Sequence, residues 1–269
     1  MLPVALSIAG SDNSAGAGAQ ADLKTMSALG VYGVTAITCV VAEVPGKVSA
    51  IQPIDPHIVA EQIRLSFEAF PIAAVKTGML YSREIIEAVC ATLEECFAKC
   101  TSRPFLVVDP VMVATSGDAL LKNDAVALYR ERLFPLAGVI TPNLDEVRTL
   151  LGRPVASIGD MHRAGEELVA QFGTAFLIKG GHLREVIATD LLFAEGRVHE
   201  FSAPFVPDVS THGTGCTCSA AIVAGMARGL ALPAAVAEAK QFVTSAITHF
   251  LRWEKDGRTT DALHHFAGG

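Results

Sequence analysis

Residues 209–229, VSTHGTGCTCSAAIVAGMARG, place glycines, hydroxyls and a thiol at the start of an alanine-rich helix. Gly213 and Gly215 let a ligand approach the backbone, and the first amides of a helix are unpaired at the positive end of its dipole. This pattern indicates a phosphate site with the Cys216 thiol beside it. A purely structural interpretation is that Thr214 caps a buried helix and Cys216 packs as a small apolar residue.

Composition limits the class of protein. The 269 residues are 51% hydrophobic but only 6% aromatic, which is typical of layered helices and parallel strands built from small aliphatic side chains. A net charge of −7 disfavours nucleic acid as the main partner. No apolar stretch is long enough to span a membrane, residues 1–6 lack the basic start of an export signal, and the six cysteines are too irregular for a disulfide framework. We therefore expect a cytoplasmic protein.

Apolar runs of strand length alternate with helical patterns throughout the chain. This alternation predicts one α/β domain over residues 1–269, a three-layer α/β/α sandwich with a mostly parallel central sheet. The predicted strands are 3–9, 34–41, 74–77, 105–108, 138–140 and 175–178, with a hairpin at 189–194 and 197–202. The predicted helices are 19–29, 56–69, 83–99, 123–133, 143–151, 160–172, 214–228 and 233–251, followed by a polar tail.

Polar residues recur where the predicted strands end, the edge at which open parallel sheets bind ligands. A charge at the end of an apolar strand is costly unless it has a partner, so a shared ligand site is expected. Glycine-rich loops, acidic strand ends suited to Mg²⁺ and a lysine together favour phosphoryl transfer, although no P-loop motif is present. These strand-end residues are Gly10 to Asp12, Glu43, Thr77 to Met79, Asp109, Thr141 to Asn143 and Lys179.

A dinucleotide-binding site is the main competing interpretation. Residues 16–21, GAGAQA, match the G-x-G-x-x-A fingerprint between a strand and a helix, and Glu43 follows about twenty residues later. An NAD-dependent dehydrogenase is therefore an alternative. Against it, residues 10–15, which include the polar Ser11, Asp12 and Asn13, separate the strand from the glycines, and the THGTGC segment is left without a role. A binding protein without catalytic activity is a third possibility.

Several motifs together resemble a known family. IAGSD, SAGAGAQADLKT, VKTGML, VVDPVM, TPN-x-x-E, KGGH and THGTGCT occur in this order between residues 4 and 251. The chain thereby resembles the hydroxymethylpyrimidine/phosphomethylpyrimidine kinases of thiamine biosynthesis, in the ribokinase-like superfamily. The resemblance implies ATP and Mg²⁺, the hydroxymethyl group of 4-amino-5-hydroxymethyl-2-methylpyrimidine as acceptor, further phosphorylation of the monophosphate, and a homodimer.

The resemblance also implies roles for individual residues. Gly213, Thr214 and Gly215 would form the anion hole, and Cys216 would be the base where most of the superfamily has Asp. Because a helix N-terminus lowers the pKa of a thiol, we expect thiolate character at Cys216. Since phosphoryl transfer is loose, Cys216 serving chiefly to orient the acceptor hydroxyl is an open alternative.

The same matching assigns the remaining site residues. Asp109 and Glu146 would serve Mg²⁺, and Lys179, Asn143 and Thr211 the nucleotide. The substrate residues would be Gly10, Asp22, Glu43, Met79 and Val111. Structural alternatives stay open: a capping box for Asn143 and Glu146, a surface carboxylate partner for Lys179, a solvated position for Asp22, core packing for Met79 and Val111, and an ordinary loop position for His212.

One position departs from the family pattern. The family has Gln followed by Asn-Thr at the end of the second strand, where this chain has Glu43, Val44 and Pro45. An amide donates and accepts hydrogen bonds, whereas an ionised carboxylate only accepts. Pyridoxal, a flat heteroaromatic alcohol phosphorylated by related enzymes, is therefore the alternative substrate.

Overall fold

The fold of residues 1–112, 123–183, 186–207, 209 and 212–266 is given by a computed structural model. A nine-stranded sheet has the order β3-β2-β1-β4-β5-β6-β7-β8-β9. Strands β1, β2 and β4 to β7 run parallel, and β3, β8 and β9 run antiparallel to their neighbours. The strands are β1 Val4–Asp12, β2 Tyr32–Val44, β3 Lys47–Pro53, β4 Ile72–Thr77, β5 Phe105–Val108, β6 Val139–Ile140, β7 Ala175–Lys179, β8 Ile187–Ala194, β9 Arg197–Pro204, and a separate hairpin of β10 Leu251–Lys255 and β11 Arg258–Ala262.

Helices cover both faces of the sheet. The helices are α1 Gly18–Ala28, α2 Pro56–Ala69, α3 Arg83–Lys99, α4 Asn123–Leu128, α5 Leu144–Leu151, α6 Ile158–Phe172, α7 Thr214–Ala227 and α8 Leu232–Thr248. The last turns after α4 are a π-helical segment, Tyr129–Leu133, and a 3-10 turn, Phe134–Leu136. Among described residues, no helix is both long and apolar enough to cross a bilayer.

The core has one layer on each side of the sheet. Leu6 and Ile8 of β1 pack with α2, α3, α5 and α6, whereas Ala5 points to the opposite layer with α7 and α8. Because both faces of the central strands are buried, these strands are continuous apolar runs. The predicted α/β/α sandwich is confirmed. Assigning residues 1–269 to one domain stays a prediction.

Local signals explain where several elements begin. Asp55 accepts a hydrogen bond from the amide of His57 at the start of α2, and Ser82 accepts one from Ile85 at the start of α3. The predicted caps of both helices are therefore confirmed. The predicted β8–β9 hairpin is also present.

Two parts of the secondary-structure prediction are wrong. The second strand does not end at 41, because β2 continues to Val44 and returns through Gly46 into β3. The last helix does not reach 251, because α8 ends at Thr248 and residues 251–262 form the β10–β11 hairpin. Asp256 and Gly257 both have positive φ at its turn, and the Asp-Gly pair is the sequence signal that was available for it.

Candidate active site

The turn before α7 meets the carboxyl edge of the sheet. Gly213 occupies the N-cap position with φ +82 and has no side chain that could cap the helix, so Thr214 is not the cap. A Cβ on Gly213 would lie 1.8 Å from the carbonyl oxygen of Gly16. The turn before α7 is therefore packed against the first glycine loop, residues 13–17 between β1 and α1.

An ion pair lies directly beneath this turn. Lys179, at the end of β7, donates to Asp109 after β5 across 3.1 Å, and Ser219 of α7 donates to the other carboxylate oxygen across 3.2 Å. A Cβ on Gly215 would lie 3.3 Å from the Lys179 ammonium and 3.7 Å from Asp109. The partner of Lys179 is thus a buried carboxylate, and the surface-carboxylate interpretation is wrong.

The Lys179 ammonium stays charged despite its enclosure. Burial lowers its pKa, but the negative charges of Asp109 and Glu146 outweigh that effect, so the pKa is raised. A fixed positive charge beside the start of a helix is suited to binding a phosphoryl group during its transfer.

The structure shows the capping box at Glu146, and the metal role of this residue stays a prediction. Its carboxylate accepts from the amide of Asn143 across 2.9 Å and Asn143 caps the amide of Glu146, so the capping box is present. Its other oxygen accepts from Met112 across 3.2 Å. Burial raises the pKa of Glu146 to about 7, with Lys179 opposing and Asp109 reinforcing the shift. Near neutral pH, a cation bound beside the Glu146 carboxyl group can therefore shift it to its ionised form.

The donor set is compatible with Mg²⁺ bound together with a nucleotide. No group of three or more His, Cys, Asp or Glu able to hold a metal exists among described residues. Mg²⁺ needs less, because it keeps several waters and binds through one or two carboxylates plus substrate phosphates. Asp109 and Glu146 would supply that pair, and their role as metal ligands stays a prediction.

The pKa of the Cys216 thiol is raised, whereas the sequence predicts a lowered one. Cys216 is half-buried in the first turn of α7, and burial raises its pKa to about 11; Lys76 opposes the shift, and Asp22 and Asp109 reinforce it. The expected thiolate is therefore wrong, because desolvation of the thiol outweighs the stabilising charge of Lys76. At neutral pH the group is a thiol.

A buried ion pair supports this region and was missed from the sequence. Lys76 of β4 donates to Asp22 of α1 across 2.6 Å, and Ser7 of β1 donates to the other oxygen across 2.5 Å. Both charged side chains are 0% exposed. The solvated interpretation of Asp22 is wrong, and its contact with substrate stays a prediction. The available signal was a lysine within the apolar run of β4.

The proposed substrate residues lie along the same edge. Gly10 is close to Met79, since a Cβ on Gly10 would be 3.8 Å from its sulfur. Met79, Val111 and Glu43 are all half-buried, so neither Met79 nor Val111 is fully enclosed in the core. The amide of Glu43 donates to Asn13 across 2.7 Å, and burial together with Asp12 raises the pKa of the Glu43 carboxyl against the opposing effect of His212.

Comparison with known proteins decides the family. A profile of the phosphomethylpyrimidine kinase family matches residues 12–261. The hydroxymethylpyrimidine/phosphomethylpyrimidine kinase of Rhizobium meliloti is 46% identical over 267 residues, covering 99% of this chain and 98% of that protein. The chain belongs to the phosphomethylpyrimidine kinase family. The enzyme of the same name from Escherichia coli is 42% identical over 263 residues, with 97% of each chain covered.

Solved structures agree with this family assignment. A phosphomethylpyrimidine kinase from Clostridium difficile superposes with a TM-score of 0.79 at 39% identity, covering 91% of this chain and 99% of that one. An ADP complex of Bacillus subtilis pyridoxal kinase gives 0.87 at 34% identity, covering 99% and 98%. The predicted ribokinase-like fold and phosphotransferase activity are confirmed.

The dehydrogenase interpretation fails on geometry as well. In this kinase the amides of Gly16 and Ala17 donate to the carboxylate of Asp12, across 3.2 and 2.8 Å. A pyrophosphate would need such amides at the start of the helix. The first glycine loop is therefore occupied by an internal anion and is not a second phosphate site.

The structure gathers most of the predicted site residues of this kinase. Four of them are neighbours: Asp109, Lys179, Gly215 and Glu146. Asn143 joins this group through a backbone β-bridge with Lys179. Thr211 lies outside the described residues, as does most of the polar segment that follows Met112. The individual site roles stay predictions.

Proposed function

We propose that this kinase transfers the γ-phosphoryl group of ATP to the hydroxymethyl group of 4-amino-5-hydroxymethyl-2-methylpyrimidine and then phosphorylates the monophosphate, in thiamine biosynthesis. The observation that carries the proposal is the start of α7: Gly215 in its first turn lies next to the Asp109–Lys179 pair, and Cys216 follows in the same turn. The relatives described above are named for this reaction. The decisive test is a product assay with ATP and the pyrimidine alcohol, and absence of phosphorylated product would overturn the proposal.

The chain's own groups account for most of the reaction. The amides of Gly213, Thr214 and Gly215 stabilise the transferred phosphoryl group, and Lys179 neutralises the phosphates. Asp109 and Glu146 would hold Mg²⁺, which supplies further positive charge when bound. Cys216 orients the acceptor hydroxyl, because a thiol with a pKa of about 11 is protonated near pH 7.

The proposal extends to a cytoplasmic homodimer that acts on small molecules and has neither nucleic acid nor a membrane as a partner. The six free cysteines and the net charge of −7 support this context. Light scattering on the purified chain measures the oligomeric state, and a monomer at working concentration would contradict the dimer.

Pyridoxal is the second candidate substrate, favoured by Glu43 at the position where the family has Gln. We expect Glu43→Gln to raise the ratio of kcat/KM for the pyrimidine alcohol over pyridoxal by about tenfold, because the amide both donates to and accepts from the ring edge. The measurement is a competition assay with both alcohols. Glu61→Gln on the surface of α2 is the control. If the wild type already prefers the pyrimidine and Glu43→Gln behaves alike, Glu43 does not select the substrate.

Replacing Cys216 tests the orienting role. Cys216→Ala should lower kcat roughly tenfold to a hundredfold and change KM much less, because orientation matters most in the transition state. Cys218→Ala, in the apolar layer two residues later, is the matched control. The wild-type rate should show no thiol ionisation between pH 6 and 9, since the pKa of Cys216 is about 11. Unchanged turnover in Cys216→Ala would remove the residue from the mechanism.

A further inference from the structure

The carboxylate of Asp12 organises the loop between β1 and α1. Asp12 is 1% exposed, and its Oδ1 accepts from the amide of Ser14 across 2.6 Å. Its Oδ2 accepts from the Ser14 hydroxyl across 3.0 Å and from the amides of Gly16 and Ala17. Burial raises its pKa, but His212 and these donors outweigh burial and bring the pKa to about 2. Asp12 is therefore an anion at any physiological pH.

The same oxygen reaches the turn before α7. Nε2 of His212 lies 3.3 Å from Oδ2 of Asp12, although the two residues are 200 positions apart. Because the carboxylate only accepts, Nε2 carries the hydrogen. The local amides explain why a loop would bury an aspartate, but they do not explain a charged contact with a distant segment.

The two loops also touch through their backbones. A Cβ on Gly16 would lie 3.0 Å from the ring of His212, and a Cβ on Gly213 would lie 1.8 Å from the Gly16 carbonyl oxygen. A shift of either loop is thus transmitted to the other. His212 directly precedes the anion-hole residues, so its position sets where their amides point.

We propose that Asp12 is a positioning residue for phosphoryl transfer: through His212 it fixes the 213–215 turn against the first glycine loop, and with it the anion hole and Cys216. This inference rests on the proposed function of that turn. Asp12 touches neither the phosphate nor the acceptor in this role, and its effect is on kcat through geometry.

The pairing makes the anion hole sensitive to pH. The hydrogen bond to Asp12 raises the pKa of His212 above its ordinary value, burial opposes this, and the charges of Glu43 on β2 and of Asp12 add to it. The charged contact is complete below the ordinary imidazole pKa and is lost as pH rises through the raised one. The wild-type kcat should therefore decline on the alkaline side.

Histidine variants test the link without disturbing the local turn around Asp12. His212→Ala should lower kcat at least about tenfold, with KM for ATP and for the alcohol changed by less than about threefold. His212→Gln retains an N–H donor, so it should restore much of kcat at pH 7 and lose the alkaline decline. His57→Ala, on the exposed surface of α2, is the control. Wild-type kcat and an intact alkaline decline in His212→Ala would overturn the proposal.

An NMR titration separates this inference from the proposed function. The His212 imidazole should titrate above its ordinary range in the wild type, and Asp12→Asn should return it toward that range, whether or not the protein is an active kinase. A His212 pKa unchanged by Asp12→Asn would overturn the pairing. A wild type that forms no phosphorylated product would instead overturn the proposed function.

Discussion

Lys76→Met is expected to destabilise the fold by about 3–5 kcal/mol, since it leaves the Asp22 carboxylate buried without its counter-charge. Both side chains are 0% exposed and their charged atoms are 2.6 Å apart. Within the described part of the chain, the hydroxyl of Ser7 then remains as the hydrogen-bond donor to Asp22. The measurement is urea unfolding at pH 7, followed by fluorescence or circular dichroism.

A surface lysine provides the control for charge removal. Lys99 pairs with Glu95 across 2.8 Å, but its side chain is 71% exposed, so Lys99→Met should leave the unfolding midpoint almost unchanged. If Lys76→Met unfolded at the same urea concentration as Lys99→Met, the buried pair would contribute nothing measurable. Adding Asp22→Asn to Lys76→Met should recover part of the lost stability, because the double variant buries no unpaired charge.

The pH dependence of Lys76→Met gives a second test of the same pair. Without the ammonium, burial raises the folded-state pKa of Asp22 further above its unfolded value. A group shifted in this direction contributes most stability below the unfolded pKa and loses that contribution as pH rises through the folded one. The stability deficit of Lys76→Met relative to wild type should therefore be smaller at pH 5 than at pH 8.

These charges also show what the sequence can and cannot predict. The apolar run of β5, the cap at Ser82 and the hairpin at Glu195-Gly196 depend on neighbouring residues, so their positions were predictable. The partner of Lys76 is 54 residues away on another element, and no local pattern specifies it. Position at a strand end indicated that Asp109 and Lys179 share a site, but not that they pair with each other.

Competing physical effects were the other reason why parts of the site could not be predicted from the sequence. The helix terminus predicted a lowered pKa for Cys216, whereas burial, which depends on the packed structure, decides the direction. The fingerprint at residues 16–21 predicted amides free to bind a ligand, whereas the carboxylate of Asp12 at the end of β1 accepts hydrogen bonds from the amides of Gly16 and Ala17. In both cases the motif was recognised correctly, but its surroundings had to be observed.

Gly213→Ala is expected to lower kcat by about 10²–10³, the usual cost of losing a donor from an anion hole. The new Cβ would lie 1.8 Å from the carbonyl oxygen and 2.7 Å from the carbonyl carbon of Gly16. Because these are backbone atoms, the turn has to move, and its amides would no longer meet the phosphoryl group that we propose they bind. Steady-state kinetics with ATP and the pyrimidine alcohol measure the effect.

The Gly229→Ala variant distinguishes the effect of this steric clash from the effect of backbone strain. Gly229 follows the other end of α7 with φ +84, nearly the same as Gly213, and a Cβ there would meet nothing within 4 Å. Gly229→Ala therefore carries the strain alone, about 1 kcal/mol of stability, and should keep the wild-type kcat. Equal losses of kcat in the two variants would mean that strain in α7, not the geometry of the anion hole, limits the rate. A Gly213→Ala enzyme with normal turnover would show that phosphoryl transfer does not use this turn.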